Sequence, residues 1–188
     1  YIRHIYNGIH FMDNIFENYD RICYFDMDGV LAAFNKGFSM LKGSGGVTAD
    51  QYKNSVGEED AIWPIINAYG RDKFFAGLPW EEGGREMWDY ASDNFLNLKI
   101  LTALGKTNQS DKLSSKGKMS WLHRNLPMIN TNDIIMVPNK HSKKHYAKPG
   151  DILIDDTDVC INEWVKKGGI GILHKNSKDT IRQLGQYI

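Results

Sequence analysis

Two aspartates separated by one residue stand directly after a short apolar run, in Tyr24-Phe25-Asp26-Met27-Asp28-Gly29. Carboxylates this close repel, and they coexist only with a cation or a proton between them. A divalent metal together with a phosphate supplies that setting. One carboxylate can then attack phosphorus as a nucleophile. The other can protonate the leaving oxygen and later activate water. The plain structural alternative is a charged turn after a strand. A second acidic pair, Asp155-Asp156, follows another apolar run in Asp151-Ile152-Leu153-Ile154. Its alternative role is to cap the helix that follows, although Thr157 or Asp158 can do that instead. A hydroxyl, Thr102, ends a third apolar run and is followed by Ala103.

These groups need elements that bring them together. Five apolar runs have strand length: residues 22–25, 98–101, 134–137, 152–154 and 170–173. Most are continuous rather than alternating, as expected for strands buried on both faces of a parallel sheet. Helical spacing of apolar residues occupies 82–94, 117–125 and 158–167, and a last helix is expected over 177–186. Gly168-Gly169 suits the C-terminal cap of the third. Strands alternating with helices predict a Rossmannoid, doubly wound α/β core of about five parallel strands. The stretch between the first two strands is too long for one crossover. Residues 38–80 are therefore expected to form a small helical cap, leaving 1–37 and 81–188 as the core. The crevice of such a sheet lies at the carboxyl ends of its strands, where each acidic pair falls.

Composition excludes several classes. The chain has 188 residues with 23 basic and 23 acidic side chains, so it lacks the basic excess of a general nucleic-acid binder. No apolar run approaches the roughly 20 residues that span a bilayer. Cys23 and Cys160 have no metal-ligand spacing and read as two buried thiols in a reducing, cytoplasmic compartment. The six histidines form no cluster. Residues 1–11 lack the continuous core of a signal peptide and look foreign to the rest, with Met12 a plausible start. Gly105-Lys106-Thr107 ends like a P-loop, but Ile100 stands where the first glycine is required. Gly168-Gly169-Ile170-Gly171 precedes a strand instead of following one, so it is no dinucleotide fingerprint.

The run Asp26-Met27-Asp28-Gly29-Val30 resembles the first motif of the haloacid dehalogenase superfamily. Asp28 distinguishes it from the dehalogenases, which lack the second aspartate. Ile100-Leu101-Thr102-Ala103 resembles the second motif, which implies that Thr102 hydrogen-bonds a phosphoryl oxygen. Residues 151–156 resemble the fourth. The resemblance implies Mg²⁺ held by the Asp26 carboxylate, the Asp28 backbone carbonyl and the Asp155 carboxylate, with Asp156 acting mostly through water. Mg²⁺ prefers hard oxygen ligands of this kind. The superfamily also needs a lysine against the phosphate. Lys118, Lys143 and Lys144 are candidates, and spacing upstream of the last acidic strand favours Lys144.

The likeness extends to the 5'(3')-deoxyribonucleotidases, most nearly those of phage and bacteria, over most of residues 22–174 and patchily in the cap. It implies that Phe34 and Phe75 contact a base and that Lys118 faces the site. The alternative is that Phe34, Phe75 and Trp80 simply form the core of the cap. Ala103 departs from the family, which usually offers a second hydroxyl there. The reading that follows is a Mg²⁺-dependent phosphomonoesterase acting on a nucleoside monophosphate through a phosphorylated Asp26, with Thr102 and Lys144 holding the transferring group. No membrane or stable nucleic-acid partner is expected, and a homodimer is left open. Competing readings are a phosphatase for another small monoester or for polynucleotide ends, and a non-catalytic binding member of the fold.

Overall fold

A computed structural model describes residues 20–105 and 108–188. The expectations on residues 1–11, on Met12 and on Lys106-Thr107 lie outside the described residues. Five strands form one sheet in which every pairing is parallel: β1 (Ile22–Phe25), β2 (Asn97–Ala103), β3 (Ile134–Val137), β4 (Ile152–Asp155) and β5 (Ile170–Leu173). Their order is β3-β2-β1-β4-β5. The chain moves outward from β1 to β3 on one side, then starts again beside β1 with β4. The switch point of the sheet therefore lies between β1 and β4, and a crevice opens beyond their carboxyl ends.

Period-two alternation along the strands divides two cores. Cys23, Phe25, Ile100, Ile152, Ile154 and Ile172 face one side, where they meet the buried Met87, Trp121 and Leu184. Tyr24, Leu101 and Leu153 face the other, against Cys160 and Trp164. Helices α5 (Gly84–Asn94), α6 (Asn108–Asn125) and α8 (Ser177–Leu184) carry the first set of partners, and α7 (Asp158–Val165) carries the second. Apolar cover on both faces explains why the strand sequences are nearly continuous in hydrophobicity. Helix α6 starts well before residue 117, where apolar spacing becomes visible. Its polar first turns carry no hydrophobic pattern, so they resemble a loop in sequence. Among the described residues no helix is long and apolar enough to cross a membrane.

Four short helices stand between β1 and α5: α1 (Phe34–Ser39), α2 (Ala49–Val56), α3 (Trp63–Tyr69) and α4 (Arg71–Gly77). Thr48 and Gln51 form a reciprocal capping box at the start of α2, and Pro64 stands in the first turn of α3. The outgoing and returning chains are stitched together. Ala33 N–H donates to Pro79 O at 2.9 Å, and Glu81 N–H donates to Leu31 O at 2.8 Å.

Helix α4 is seated directly on α6. A Cβ at Gly117 would lie 2.4 Å from Asp72 O and 2.9 Å from Phe75 Cβ, so the two helix backbones touch there. Lys116 pairs with Asp72 at 3.0 Å. Trp121 Nε1 donates to Leu78 O at 2.8 Å, and Arg124 donates to Ala76 O at 2.6 Å. Alanine exceeds glycine as a helix former by about 1 kcal/mol, whereas overpacking a tight contact costs about 1–3 kcal/mol. The obstacle at Gly117 is backbone that cannot rotate away, so the clash should dominate. Gly117→Ala is expected to lower the unfolding free energy by about 1–2 kcal/mol in urea titration. A gain in stability would mean that α4 yields freely.

Candidate active site

Asp26 follows β1 immediately, and its N–H donates to Ile154 O of β4 at 2.9 Å. That bond fixes its carboxylate beside Asp155, the last residue of β4. Asp156 joins them, and carboxylate oxygens of Asp26, Asp155 and Asp156 lie within 4.8 Å of one another. The loop after β1 turns back on the Met27 carbonyl, which accepts from Leu31 and Ala32 at 2.9 and 2.8 Å. Gly29 holds φ +77°, and a Cβ there would fall 2.2 Å from Asp156 Oδ2. Glycine is required on both counts, by the left-handed backbone and by the room that Asp156 takes.

Two lysines neutralise these acids. Lys143 Nζ, 3% exposed, lies 2.8 Å from Asp26 Oδ1 and 2.6 Å from Asp155 Oδ2. Lys118 Nζ, fully buried, donates to Asp28 Oδ2 at 2.5 Å, to Thr102 Oγ1 at 2.7 Å and to Ala103 O at 2.7 Å. Because Thr102 Oγ1 accepts from the ammonium, its own hydrogen remains available for an oxygen beyond.

The electrostatics follow from crowding. Burial would by itself lower the Lys143 pKa, but the charges of Asp26 and Asp155 outweigh it and hold the ammonium protonated. Asp155 is raised by burial and by the Asp26 charge, against the pull of Lys143. Two carboxylates share one ammonium, so the lysine stays charged while the acids remain under-compensated. Asp156, exposed as a residue but with its carboxyl tip turned in against Gly29, is pushed up to about 7 by the enclosure of that tip and by Asp26 and Asp155. Asp28 is raised by burial, with Lys118 opposing and Asp26 reinforcing. A carboxyl held this way keeps its proton more readily, which suits a proton donor.

The lysine favoured by spacing is displaced by one residue. Lys144 turns away and pairs with Glu163 at 3.2 Å, where His141 also docks at 3.2 Å. Both lysines ride a 3₁₀ turn, Lys140–Tyr146. Neighbours on such a turn point about 120° apart, so only one of the two can enter the crevice. Nothing in hydropathy distinguishes them, and the Glu163 anchor was not legible beforehand. Asp28, expected to offer its backbone carbonyl to the metal, pairs through its side chain with Lys118. Asp156, expected to act from farther out, stands within the three-carboxylate group.

Of the two rings expected to meet a base, Phe34 is partly exposed and Phe75 is buried. Phe34 packs edge-on against Phe74 at 5.2 Å and lies 6.1 Å from Phe75 and 6.5 Å from Trp63. Trp80 rests on Trp121 at 4.9 Å, at the stem of the insertion. The thiols of Cys23 and Cys160 are buried and pushed up by that burial. His174 is buried with its ring 2.9 Å from Thr180 Oγ1.

The sequence profile of the family described as 5' nucleotidase, deoxy (pyrimidine), cytosolic type C protein matches residues 15–183. The chain belongs to this family. With it, the chain is a phosphoric monoester hydrolase of the haloacid dehalogenase-like nucleotidases. No curated protein matches. Among solved structures, a hydrolase from Streptococcus pneumoniae is similar at 13% identity, covering 89% of this chain and 99% of that one, with a TM-score of 0.50. That likeness speaks for the fold. A haloacid dehalogenase-superfamily hydrolase of subfamily IA from Geobacter sulfurreducens reaches 11% identity, 88% and 96% coverage and a TM-score of 0.48, too low to carry more.

The two adjacent lysines give a direct test. Lys143→Met should lower kcat/KM for phosphate release by about 10²–10³-fold, the scale of losing one preorganised charge at a reacting group. Lys144→Met should stay within about fivefold, since a surface pair contributes at most ~1 kcal/mol. The reverse order would return the role to Lys144.

Proposed function

We propose that this nucleotidase is a Mg²⁺-dependent 5'(3')-deoxyribonucleotidase that works through a phosphorylated Asp26. The observation that carries the reading is the pairing of each reacting carboxylate with its own buried lysine. Lys143 binds Asp26 and Asp155, and Lys118 binds Asp28 and Thr102. Nucleophile, acid and phosphate donors thereby converge on one crevice.

The residues fit a hard divalent cation. Asp26, Asp155 and Asp156 set three carboxyl groups against the single ammonium of Lys143, which leaves their negative charge under-compensated. Asp28 Oδ1 is also buried without a hydrogen-bond partner. Asp26 and Asp155 would hold Mg²⁺ through their carboxylates and Asp28 through its backbone carbonyl, as the family resemblance implies, with Asp156 adjoining. Bound there, Mg²⁺ would offset the charge on the phosphate and on the nucleophile.

The chain's own groups perform the steps. The Asp26 carboxylate attacks phosphorus in line, and a P–O bond forms as the ester P–O bond breaks. Asp28 gives its proton to the departing alkoxide. Lys143 stays beside the nucleophile, and the free hydrogen of Thr102 donates to a phosphoryl oxygen. Asp28, now a carboxylate, takes a proton from water as that water attacks the acyl-phosphate. Inorganic phosphate leaves and Asp26 is restored.

A nucleoside monophosphate is supported by the aromatic lining of the insertion. Phe34 begins α1 only six residues after Asp28, partly exposed, with Trp63 and Phe74 behind it. Aromatic faces of this kind suit a nucleobase. Phosphate release across deoxynucleoside and ribonucleoside 5'- and 3'-monophosphates and sugar phosphates, with and without Mg²⁺, tests the substrate class. Deoxynucleotides should lead, and chelation with EDTA should abolish turnover. Asp26→Asn should remove turnover, and Asp28→Asn should cost about 10²–10⁴-fold, most for poor leaving groups. Near-normal turnover by Asp26→Asn would overturn the covalent route.

A further inference from the structure

The buried ammonium of Lys118 has a fourth neighbour besides Asp28, Thr102 and Ala103. It sits 4.9 Å from the centroid of the Phe75 ring. An ammonium has three N–H donors, and all three are taken by those oxygens. Its fourth bond runs to Cε, and the flank beside the ring is desolvated, since Lys118 is fully buried and Phe75 is 1% exposed. A ring face is the one apolar surface that attracts a cation, so Phe75 closes the pocket without competing for a hydrogen bond.

We propose that Phe75 is a positioning residue: its ring holds the Lys118 ammonium where it can bind Asp28 and Thr102 at once, so that seating α4 on α6 completes the surroundings of the proton donor. The proposal rests on the roles given above to Asp28 and Thr102. It assigns Phe75 a task that differs from base contact, for which its burial leaves little open face.

The path from insertion to chemistry is short. Phe75 lies on α4 and Lys118 on α6, and the helices touch at Gly117, the residue next to Lys118. The same Phe75 ring packs 5.3 Å from Phe74 and 6.1 Å from Phe34. Aromatics that line the insertion are thus continuous with the ring that covers the catalytic lysine. A displacement of α4 would move Phe75 first and leave Lys118 without its cover.

The test separates cation attraction from packing and from base binding. Phenylalanine fluorinated on two or three ring positions keeps the shape of the ring but weakens its negative face. Placed at position 75, it should lower kcat stepwise with each fluorine, to about tenfold in total, with KM unchanged. Phe75→Leu should produce a loss of at least that size. Both losses should be equal for a deoxynucleotide and for para-nitrophenyl phosphate, because the proton donor serves both. Ser120→Ala, a change at an exposed position of α6, should leave kcat unchanged. A loss confined to the nucleotide would make Phe75 a base contact and overturn the proposal. So would a kcat indifferent to fluorination, or a Phe75→Leu enzyme that merely melts earlier. If nucleotides prove not to be substrates, para-nitrophenyl phosphate still decides the question, so the two readings fail separately.

Discussion

The site depends on like charges forced together at the ends of two strands. Parallel pairing of β1 with β4 fixes where Asp26 and Asp155 emerge, and both side chains are buried there. Carboxylates in this position persist only with cations held equally firmly. Lys143 and Lys118 meet the need from opposite sides, one on the 3₁₀ turn before β4 and one on α6. Each carries its charge at little exposure because two or three oxygens surround it. A buried charge stripped of its partner is strongly destabilising, so this arrangement also constrains the fold around it. The strand ends set the acids, the acids call for the lysines, and the helices are placed where the lysines can arrive.

The insertion answers to the same constraint. The loop that presents Asp28 runs directly into it, and its last helix covers Lys118. Between them the contacts with the core are backbone-deep, at Gly117 and at the carbonyls of Ala76 and Leu78. On the proposed function, recognition and proton transfer share this wall, with Phe34 partly exposed at its edge and Phe75 buried within it.

Much of this was legible in the sequence, for reasons that can be traced to particular residues. Strand cores buried on both faces advertise themselves, so 22–25 and 152–154 were recognisable, and with them the acids that follow. Thr102 was found in the same way, by its place after an apolar run. The lysine was not, because a 3₁₀ turn of polar residues has no hydrophobic period to orient its side chains. Residues 143 and 144 differ only in which way the turn faces them, and a tertiary anchor at Glu163 settles that. The first half of α6 was missed because Ser, Asp and Lys report no buried face. Phe75 illustrates a further limit. Aromatic residues serve cores and ligands alike, and only the position of Lys118 against the ring distinguishes the uses.

The stitched stem of the insertion has a consequence for how such enzymes diversify. Ala33 and Pro79, the two ends of the excursion, are joined by a hydrogen bond, with Glu81 bonded to Leu31 just below it, so the intervening chain leaves and re-enters the core side by side. Helices α2 and α3 can in principle be lengthened, shortened or exchanged without moving either end, as a cassette borne on a fixed frame. Helix α4 has no such freedom, since its backbone lies against α6 and its Phe75 against the buried Lys118. Substrate range is then expected to drift through the outer half of the insertion while the inner half stays committed to the chemistry.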